Sequence, residues 1–161
     1  MDIVLKWSEI RKHFNKSFSS SLHVSIASVD EHHNPTVTPI GSLFLNRDQT
    51  GFYFEKFPTK LPVHSMSNNH VCILAVNSNR WFWLKSLFRG RFHSYPAIKL
   101  YGKLGINRIA TPGEIERLQK RMKGMKGLKG YSYLWSDMDR VREISFHKAE
   151  GINLGKMTEL L

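Results

Sequence analysis

Two hydrophobic patterns alternate along the chain and predict its secondary structure. Apolar residues at near-helical spacing within residues 2–14 predict an amphipathic helix in the N-terminal segment 1–15. Five later segments either alternate apolar with polar side chains or are apolar throughout, which is typical of half-buried and central strands. They are residues 22–30, 36–46, 51–57, 70–76 and 97–105, and one or two further strands are predicted in residues 141–155.

The segments between these strands predict a few helices. A short helix follows Thr59, and a longer one begins at Thr111, where a Thr cap is followed by Pro and then by Glu at the third position. Ser17–Ser21 predicts a polar break after the first helix, and the aromatic and basic segment 81–95 indicates an inserted helix or loop. Short strands without βαβ alternation predict one mainly β domain over residues 1–161: an antiparallel barrel of six or seven strands with peripheral helices.

Composition narrows the class of protein. The 161 residues suffice for one domain with its own core, and 41% hydrophobic with 12% aromatic residues exclude a disordered chain. No apolar run reaches the roughly 18 residues of a membrane span, and charges interrupt the first apolar stretch, unlike a secretory signal. Cys72 is the only cysteine, so an intrachain disulfide and a cysteine-rich zinc site are excluded. We therefore expect a cytoplasmic protein with no membrane partner and no metal site.

The positive charge is concentrated in the second half of the chain. Of the net +11, residues 1–80 carry +2 and residues 81–161 carry +9. Such a surplus favours an anionic partner, or it is simply a solvated basic surface. The run 117–129, with Trp81 and Trp83 as stacking platforms, leaves a basic nucleic-acid or anion-binding module as an alternative. Nucleic acid is not the expected partner, because the signatures of an RRM or a zinc finger are missing.

One connection between a predicted strand and a predicted helix carries phosphate-binding chemistry. The segment Glu55–Lys60 places lysines and a threonine hydroxyl beside the start of a helix, whose first amides are additional donors. The alternative is an exposed loop with ordinary lysines.

The order of these features resembles the FMN-binding split barrel of the pyridoxamine 5′-phosphate oxidase-like superfamily. The matching elements, over about residues 20–110, are strand LHVSIASVD, a turn ending in Asn34-Pro35, strands TVTPIGSLFL and GFYFEKF, a Thr-Lys pair, and Ser67-Asn68-Asn69 before strand HVCILAV. The resemblance implies a split barrel, a homodimer with FMN at the subunit interface, and flavin-dependent oxidation or reduction of a small substrate.

The resemblance also implies a set of cofactor-binding residues. Thr38, Pro39 and Ile40 are expected beside the isoalloxazine ring and the ribityl chain of the flavin. Glu55 and Lys56 are expected near the ribityl chain and the phosphate, and Thr59 and Lys60 at the phosphate itself. Thr38 stands where pyridoxamine phosphate oxidases have an arginine, which argues against pyridoxamine as the substrate.

The substrate residues are less constrained by sequence. If the insertion 81–95 lies over the flavin, Trp81 or Trp83 would stack on the ring, and Arg89 or Arg91 would meet an anionic substrate. Trp135 would approach the cofactor from the carboxyl-terminal side. The alternative is that these side chains are core or dimer contacts. No catalytic acid or base is predicted, because a flavin carries the redox chemistry itself. Non-catalytic flavin binding, or haem binding through a histidine, remains open.

Overall fold

Seven antiparallel strands and five α-helices make up the fold. The computed structural model describes all residues 1–161. The strands are β1 (Val24–Val29), β2 (Pro35–Ile40), β3 (Leu43–Leu45), β4 (Thr50–Phe54), β5 (His70–Val76), β6 (Ala97–Ile109) and β7 (Arg140–Gly151). The α-helices are α1 (Trp7–Ser21), α2 (Lys60–Ser67), α3 (Arg80–Arg89), α4 (Pro112–Met122) and α5 (Lys129–Trp135), and short 3₁₀ turns span Lys123–Met125 and Gly155–Met157. None of the helices combines the length and the apolarity needed to cross a lipid bilayer.

The sheet curls because its two edge strands are neighbours in the chain. The strand order is β2-β1-β5-β6-β7-β4-β3, yet only Gly41 and Ser42 separate β2 from β3. Two residues cannot cross a flat sheet seven strands wide, so the edges must approach each other. The Ser42 hydroxyl reinforces the corner, because it donates to the carbonyl of Phe54 and accepts from that residue's amide, both at 3.2 Å. The predicted mainly β split barrel is therefore confirmed.

Two hydrophobic cores lie on opposite faces of this sheet. The larger core fills the barrel, and α1 closes its open side with Trp7, Ile10 and Phe14. A smaller core forms outside β3 and β4, where Leu118 and Met122 of α4 pack on phenylalanines of these strands. The faces of β1, β2 and β5 that point away from the barrel core are helix-free, since the two helices in contact with these strands, α1 and α2, pack their buried apolar side chains into that core.

The predicted helix at the amino end begins and ends later in the structure. It spans Trp7–Ser21, so Ser17–Ser21, predicted as a polar break, is its last turn. The serine hydroxyls explain the difference, because those of Ser19, Ser20 and Ser21 donate to carbonyls three or four residues earlier instead of ending the helix. Leu22, at φ 63°, ends it in the left-handed conformation.

Other elements differ from the sequence prediction in extent. Residues 36–46, expected to form one strand, divide at Gly41-Ser42 into β2 and β3, and the single long strand β7 replaces the one or two expected within 141–155. Helix α5 was not predicted, because its residues lie in a glycine-rich basic stretch without a helical period. The helix start at Thr111 is confirmed as a full capping box with Glu114.

The basic run on α4 is only partly a solvated surface. The guanidinium of Arg121 lies 3.6 Å from the ring centroid of Phe44, and that of Arg117 lies 5.1 Å from the centroids of Phe44 and Phe52. Both side chains also donate to carbonyls of β3, at Leu43 and Leu45. These two arginines therefore fix α4 to the sheet through cation–π contacts, and only the lysines of the run face solvent freely.

We expect Glu114→Gln to remove stability mainly above pH 4.5. Arg108 donates two hydrogen bonds to Glu114, at 2.8 and 2.9 Å, and these bonds lower the pKa of Glu114 to about 2. A carboxyl with a lowered folded-state pKa stabilises the fold above its unfolded pKa, and this contribution disappears as the pH falls towards the folded value. Urea unfolding of both proteins between pH 7 and pH 2 measures the effect, with Glu116→Gln, an exposed residue of the same helix, as the control. A constant difference across this pH range would contradict the assignment.

Candidate functional site

A cavity of about 290 Å³ lies where β2 ends, between the loop after β4 and helix α5. Thr38, Pro39 and Ile40 form one wall, and Trp135 with Leu134 of α5 forms the opposite wall. The structure therefore brings Thr38–Ile40 and Trp135 together, although they lie almost a hundred positions apart in the chain. The sequence had suggested each of them separately for the cofactor site.

The strand that forms this wall is suited to lie beside a ligand. Strand β2 is at the sheet edge, with β1 as its only partner, which is the place in a sheet where a proline such as Pro39 is tolerated. Thr38 pairs with Ile26 and Pro39 with Ser25, so successive side chains of β2 point to opposite faces of the sheet. A ligand beside this edge meets both backbone groups and alternate side chains.

Trp135 is held against a glycine at the corner of the barrel. A Cβ added to Gly41 would lie 3.1 Å from the Trp135 indole and 3.2 Å from the carbonyl oxygen of Leu22. Gly41 therefore allows the indole to approach the backbone closely. Sequence reasoning did not single out this glycine; its position directly after the predicted ring-binding residues was the available signal.

Lys56 connects the loop after β4 to the end of α5. Its ammonium donates to the carbonyl of Ser136 at 2.6 Å and lies 5.3 Å from the ring centroid of Phe57. Phe57 and Pro58 line the cavity themselves, although sequence reasoning did not name them. In this structure Lys56 thus positions the segment that carries Trp135.

The predicted phosphate-binding pair begins α2, directly after the cavity-lining Pro58. Thr59 is the N-cap residue, and its hydroxyl makes no capping hydrogen bond. The backbone amides of Lys60 and Leu61 donate to no carbonyl, and the Lys60 ammonium has no carboxylate partner. One hydroxyl, one ammonium and two amides therefore remain available at the positive end of a helix.

Glu55 is not brought to this cavity. Its carboxylate accepts from Arg142, from the Tyr53 hydroxyl at 2.7 Å and from Asn107 at 2.5 Å, and its side chain is only 6% exposed. Burial alone would raise the pKa of Glu55, but the hydrogen bonds from Arg142 and Tyr53 hold it below its usual value. Its charge is therefore neutralised inside the barrel, where it joins strands instead of facing a ligand.

The insertion does not reach the cavity either. Trp83 donates its indole N–H to the carbonyl of Asn77 at 2.7 Å and packs on Phe92, while Trp81 is exposed. Arg89 and Arg91 line a separate cavity of about 300 Å³ near the last residues of the chain. Of the five residues suggested for substrate, Trp135 alone lines the cavity with Thr38–Ile40. The aromatic residues of segment 81–95 have no regular spacing, so the sequence did not indicate against which part of the domain this segment packs.

Comparison with known proteins shows the fold. No protein-family model matches the sequence, and no curated protein matches it. Among solved structures, an FMN-binding protein from Syntrophomonas wolfei subsp. wolfei is similar at a TM-score of 0.58 and 13% identity, covering 94% of this chain and 95% of its own. The heme storage protein HutZ from Vibrio cholerae also gives 0.58 at 13% identity, covering 89% and 92%. A putative pyridoxamine 5′-phosphate oxidase from Lactobacillus delbrueckii gives 0.52 at 15%, covering 87% and 91%.

These similarities extend over nearly the whole of both chains in each pair. The chain therefore has the fold of the pyridoxamine 5′-phosphate oxidase-like, FMN-binding split-barrel proteins, as the order of its sequence motifs implied. At such low identities the similarity establishes the architecture, whereas ligand and activity depend on the residues of the site.

Proposed function

We propose that the chain binds FMN and catalyses a flavin-dependent oxidation or reduction of a small organic substrate. The observation that carries this proposal is the cavity shared by Thr38–Ile40 and Trp135, directly beside the uncapped start of α2. One end of the site is apolar and aromatic, and the other offers donors for an anion. FMN has the same division, with a planar ring at one end and a phosphate at the other.

The phosphate end is supported by the chemistry of the available donors. The Thr59 hydroxyl, the Lys60 ammonium and the first amides of α2 would hold the phosphate, and the helix dipole adds to the attraction. Glu55 offers no competing negative charge, since Arg142 neutralises it.

The ring end is supported by the walls of the cavity. Pro39, Ile40 and Trp135 would orient the isoalloxazine ring and exclude water from it. When bound, the flavin supplies two-electron redox chemistry, and the protein contributes position and electrostatics. At about 290 Å³ the cavity is just below the range of roughly 300–1,000 Å³ typical of ligand sites. A second copy of the chain would complete such a site, which supports a homodimer with the cofactor at its interface.

Haem is the second candidate ligand. The fold is shared with a heme storage protein, and the rings of the exposed residues His70 and His147 lie 6.4 Å apart on the outer surface of the sheet. Histidine is a common axial ligand of haem iron, so this pair is a possible attachment point outside the proposed flavin site. A Soret band on titration with haem, lost in His70→Ala, would support this alternative.

A flavin titration of the Lys60→Ala variant tests the proposed site. Loss of a charge-assisted hydrogen bond to phosphate is expected to weaken FMN binding about tenfold or more, measured by quenching of flavin fluorescence. Riboflavin lacks the phosphate, so its affinity is expected to be unchanged by the substitution. Lys120→Ala, an exposed lysine on α4, serves as the matched control for net charge.

Three outcomes distinguish the alternatives. Selective loss of FMN affinity in Lys60→Ala supports the proposal. Equal FMN affinity in both lysine variants contradicts the assignment of the phosphate end. If folded wild-type protein binds neither flavin, the cofactor proposal fails and the haem titration decides between the remaining candidates.

A further inference from the structure

The largest cavity among the principal ones lies elsewhere in the molecule and shares no lining residue with the proposed flavin site. It has a volume of about 620 Å³ and lies between α1 and the segment that leads into β6. This volume is well within the range of small-molecule sites, roughly 300–1,000 Å³.

One part of its wall is apolar. Leu5 and Ile10 contribute from α1 and the turn before it, and Tyr95 and Ile98 contribute from the opposite side. Ile10 and Ile98 also belong to the barrel core, so this part of the wall is fixed by the packing of the whole domain. A rigid apolar wall favours a ligand with a hydrophobic body.

Two mostly buried polar side chains in the same wall each keep one solvent-accessible hydrogen-bonding atom that has no partner in the protein. His13 is 7% exposed and Asn77 is 6% exposed. The Nε2 of His13 lies 2.9 Å from the Ala75 carbonyl, which can only accept, so Nε2 carries the proton. Burial lowers the pKa of His13 and keeps the ring neutral, which leaves Nδ1 as a free acceptor. The Oδ1 of Asn77 accepts from the Asn79 amide at 3.2 Å, while its Nδ2 makes no hydrogen bond to the protein and is accessible to solvent.

The side chains along the cavity carry a net positive charge, and the main-chain oxygen of Leu161, also in the wall, accepts from the Tyr95 hydroxyl at 2.9 Å. Of the two acidic residues in the wall, Glu9 pairs with Lys6 at 3.1 Å, and Asp2 accepts from the amides of Val4 and Leu5. The remaining cations of the wall, on the adjacent turn of α1, have no carboxylate within ion-pair distance; they are Lys12 and Lys16. An anionic group would meet two unpaired ammonium groups there.

We propose that this cavity is a second binding site, for a small organic anion with an apolar body and a hydroxyl or N–H donor. The apolar body would lie on Ile10, Ile98 and Tyr95, and the anionic group would meet Lys12 and Lys16. The donor would bond to Nδ1 of His13, and Nδ2 of Asn77 would donate to the ligand. Each of these groups would exchange water for a ligand atom of complementary chemistry. The site does not depend on the proposed flavin function.

The probe 8-anilinonaphthalene-1-sulfonate has these three features, and its fluorescence rises when it leaves water. We expect it to bind the folded protein, and its dissociation constant to rise about tenfold or more in the double variant Lys12→Glu/Lys16→Glu. Lys120→Glu/Lys123→Glu makes the same change of net charge near the end of α4 and in the 3₁₀ turn that follows it, away from the cavity, and is expected to leave the affinity unchanged. N-Phenyl-1-naphthylamine, which lacks the sulfonate, is expected to bind all three proteins alike and so controls for folding.

A second variant tests the buried polar groups. Asn77→Asp keeps the acceptor for the Asn79 amide but replaces the free donor by a carboxylate, so it is expected to weaken binding of the sulfonate probe. Equal affinities in the cavity lysine variant and its control would overturn the proposal. Competition by FMN would also overturn it, because the probe would then occupy the flavin site.

Discussion

Replacing Glu55 with Gln is expected to lower the free energy of unfolding by about 3–5 kcal/mol, because the substitution leaves a buried guanidinium without its counter-charge. The side chains of Glu55 and Arg142 are only 6% and 14% exposed, and their closest atoms are 2.7 Å apart. Removal of one partner from such a pair costs more than the pair itself contributes, since the remaining charge stays out of water.

The loss is large because the carboxylate joins three strands. Tyr53 donates from within β4, Asn107 from β6 and Arg142 from β7, and the hydrogen bonds of all three residues end on the two oxygens of Glu55. The pKa of Glu55 lies below its usual value, so this stabilisation is present above the unfolded pKa and is lost as the pH falls through the folded one. The variant and the wild type are therefore expected to converge in stability in acid.

Urea unfolding at pH 7 measures the difference, and a neighbouring ion pair provides the control. Glu143 pairs with Arg108 at 2.6 Å, but its side chain is 43% exposed, so Glu143→Gln is expected to cost less than about 1 kcal/mol. The double variant Glu55→Gln/Arg142→Met removes the orphaned charge and is expected to recover part of the loss. If Glu55→Gln costs no more than Glu143→Gln, the carboxylate does not hold the strands together.

The placement of Glu55 shows which features the sequence could reveal. The order of the motifs placed Glu55 near the ribityl chain and phosphate of the cofactor. Strand alternation instead places Glu55 on the same face as Tyr53, whose side chain belongs to the barrel core. Alternation is a local property, and it agrees with the position of Glu55 in this structure. Its partner Arg142 is 87 residues away in the chain, and no local pattern indicates that pairing.

Local signals predicted the parts of the fold that local energies determine. The capping box at Thr111 and the alternating strands were predictable, because neighbouring residues supply their hydrogen bonds and their buried faces. Helix α5 was not, because its position depends on Trp135 packing at Gly41 and on Lys56 bonding to Ser136. The resemblance singled out Thr38–Ile40, which line the cavity in the structure, whereas the direction of the insertion depended on contacts such as Trp83 with Phe92.

Charges placed on the helix-free face of the sheet are expected to separate the proposed homodimer. The pairing of Val37 with Ala27, and of Ala27 with Cys72, forms one row across this face, and Leu74 lies beside Ser25 in the next row. Val37 is 65% exposed although it lies within a strand. A partly exposed apolar patch on a sheet face is typical of an interface, and a second copy with the same patch satisfies two-fold symmetry.

The double variant Val37→Asp/Leu74→Asp is expected to raise the dimer dissociation constant by about 100-fold or more. Each carboxylate would be buried against an apolar surface without a partner, and about 2.7 kcal/mol in total suffices for a factor of 100. Sedimentation equilibrium over a concentration series measures the constant. Leu87→Asp, on α3 and 62% exposed, is the control for a charge at an exposed apolar residue outside this face.

Flavin affinity measured on the same samples connects assembly to function. If FMN lies at the subunit interface, the monomeric variant should lose FMN affinity together with dimerisation, because half of each site comes from the other copy. A dimer that persists in the Val37→Asp/Leu74→Asp variant would show that this face is not the interface. A monomeric wild type that binds FMN tightly would show that the cavity formed by Thr38–Ile40 and Trp135 is a complete site within one chain, and the cofactor proposal would then stand without the homodimer.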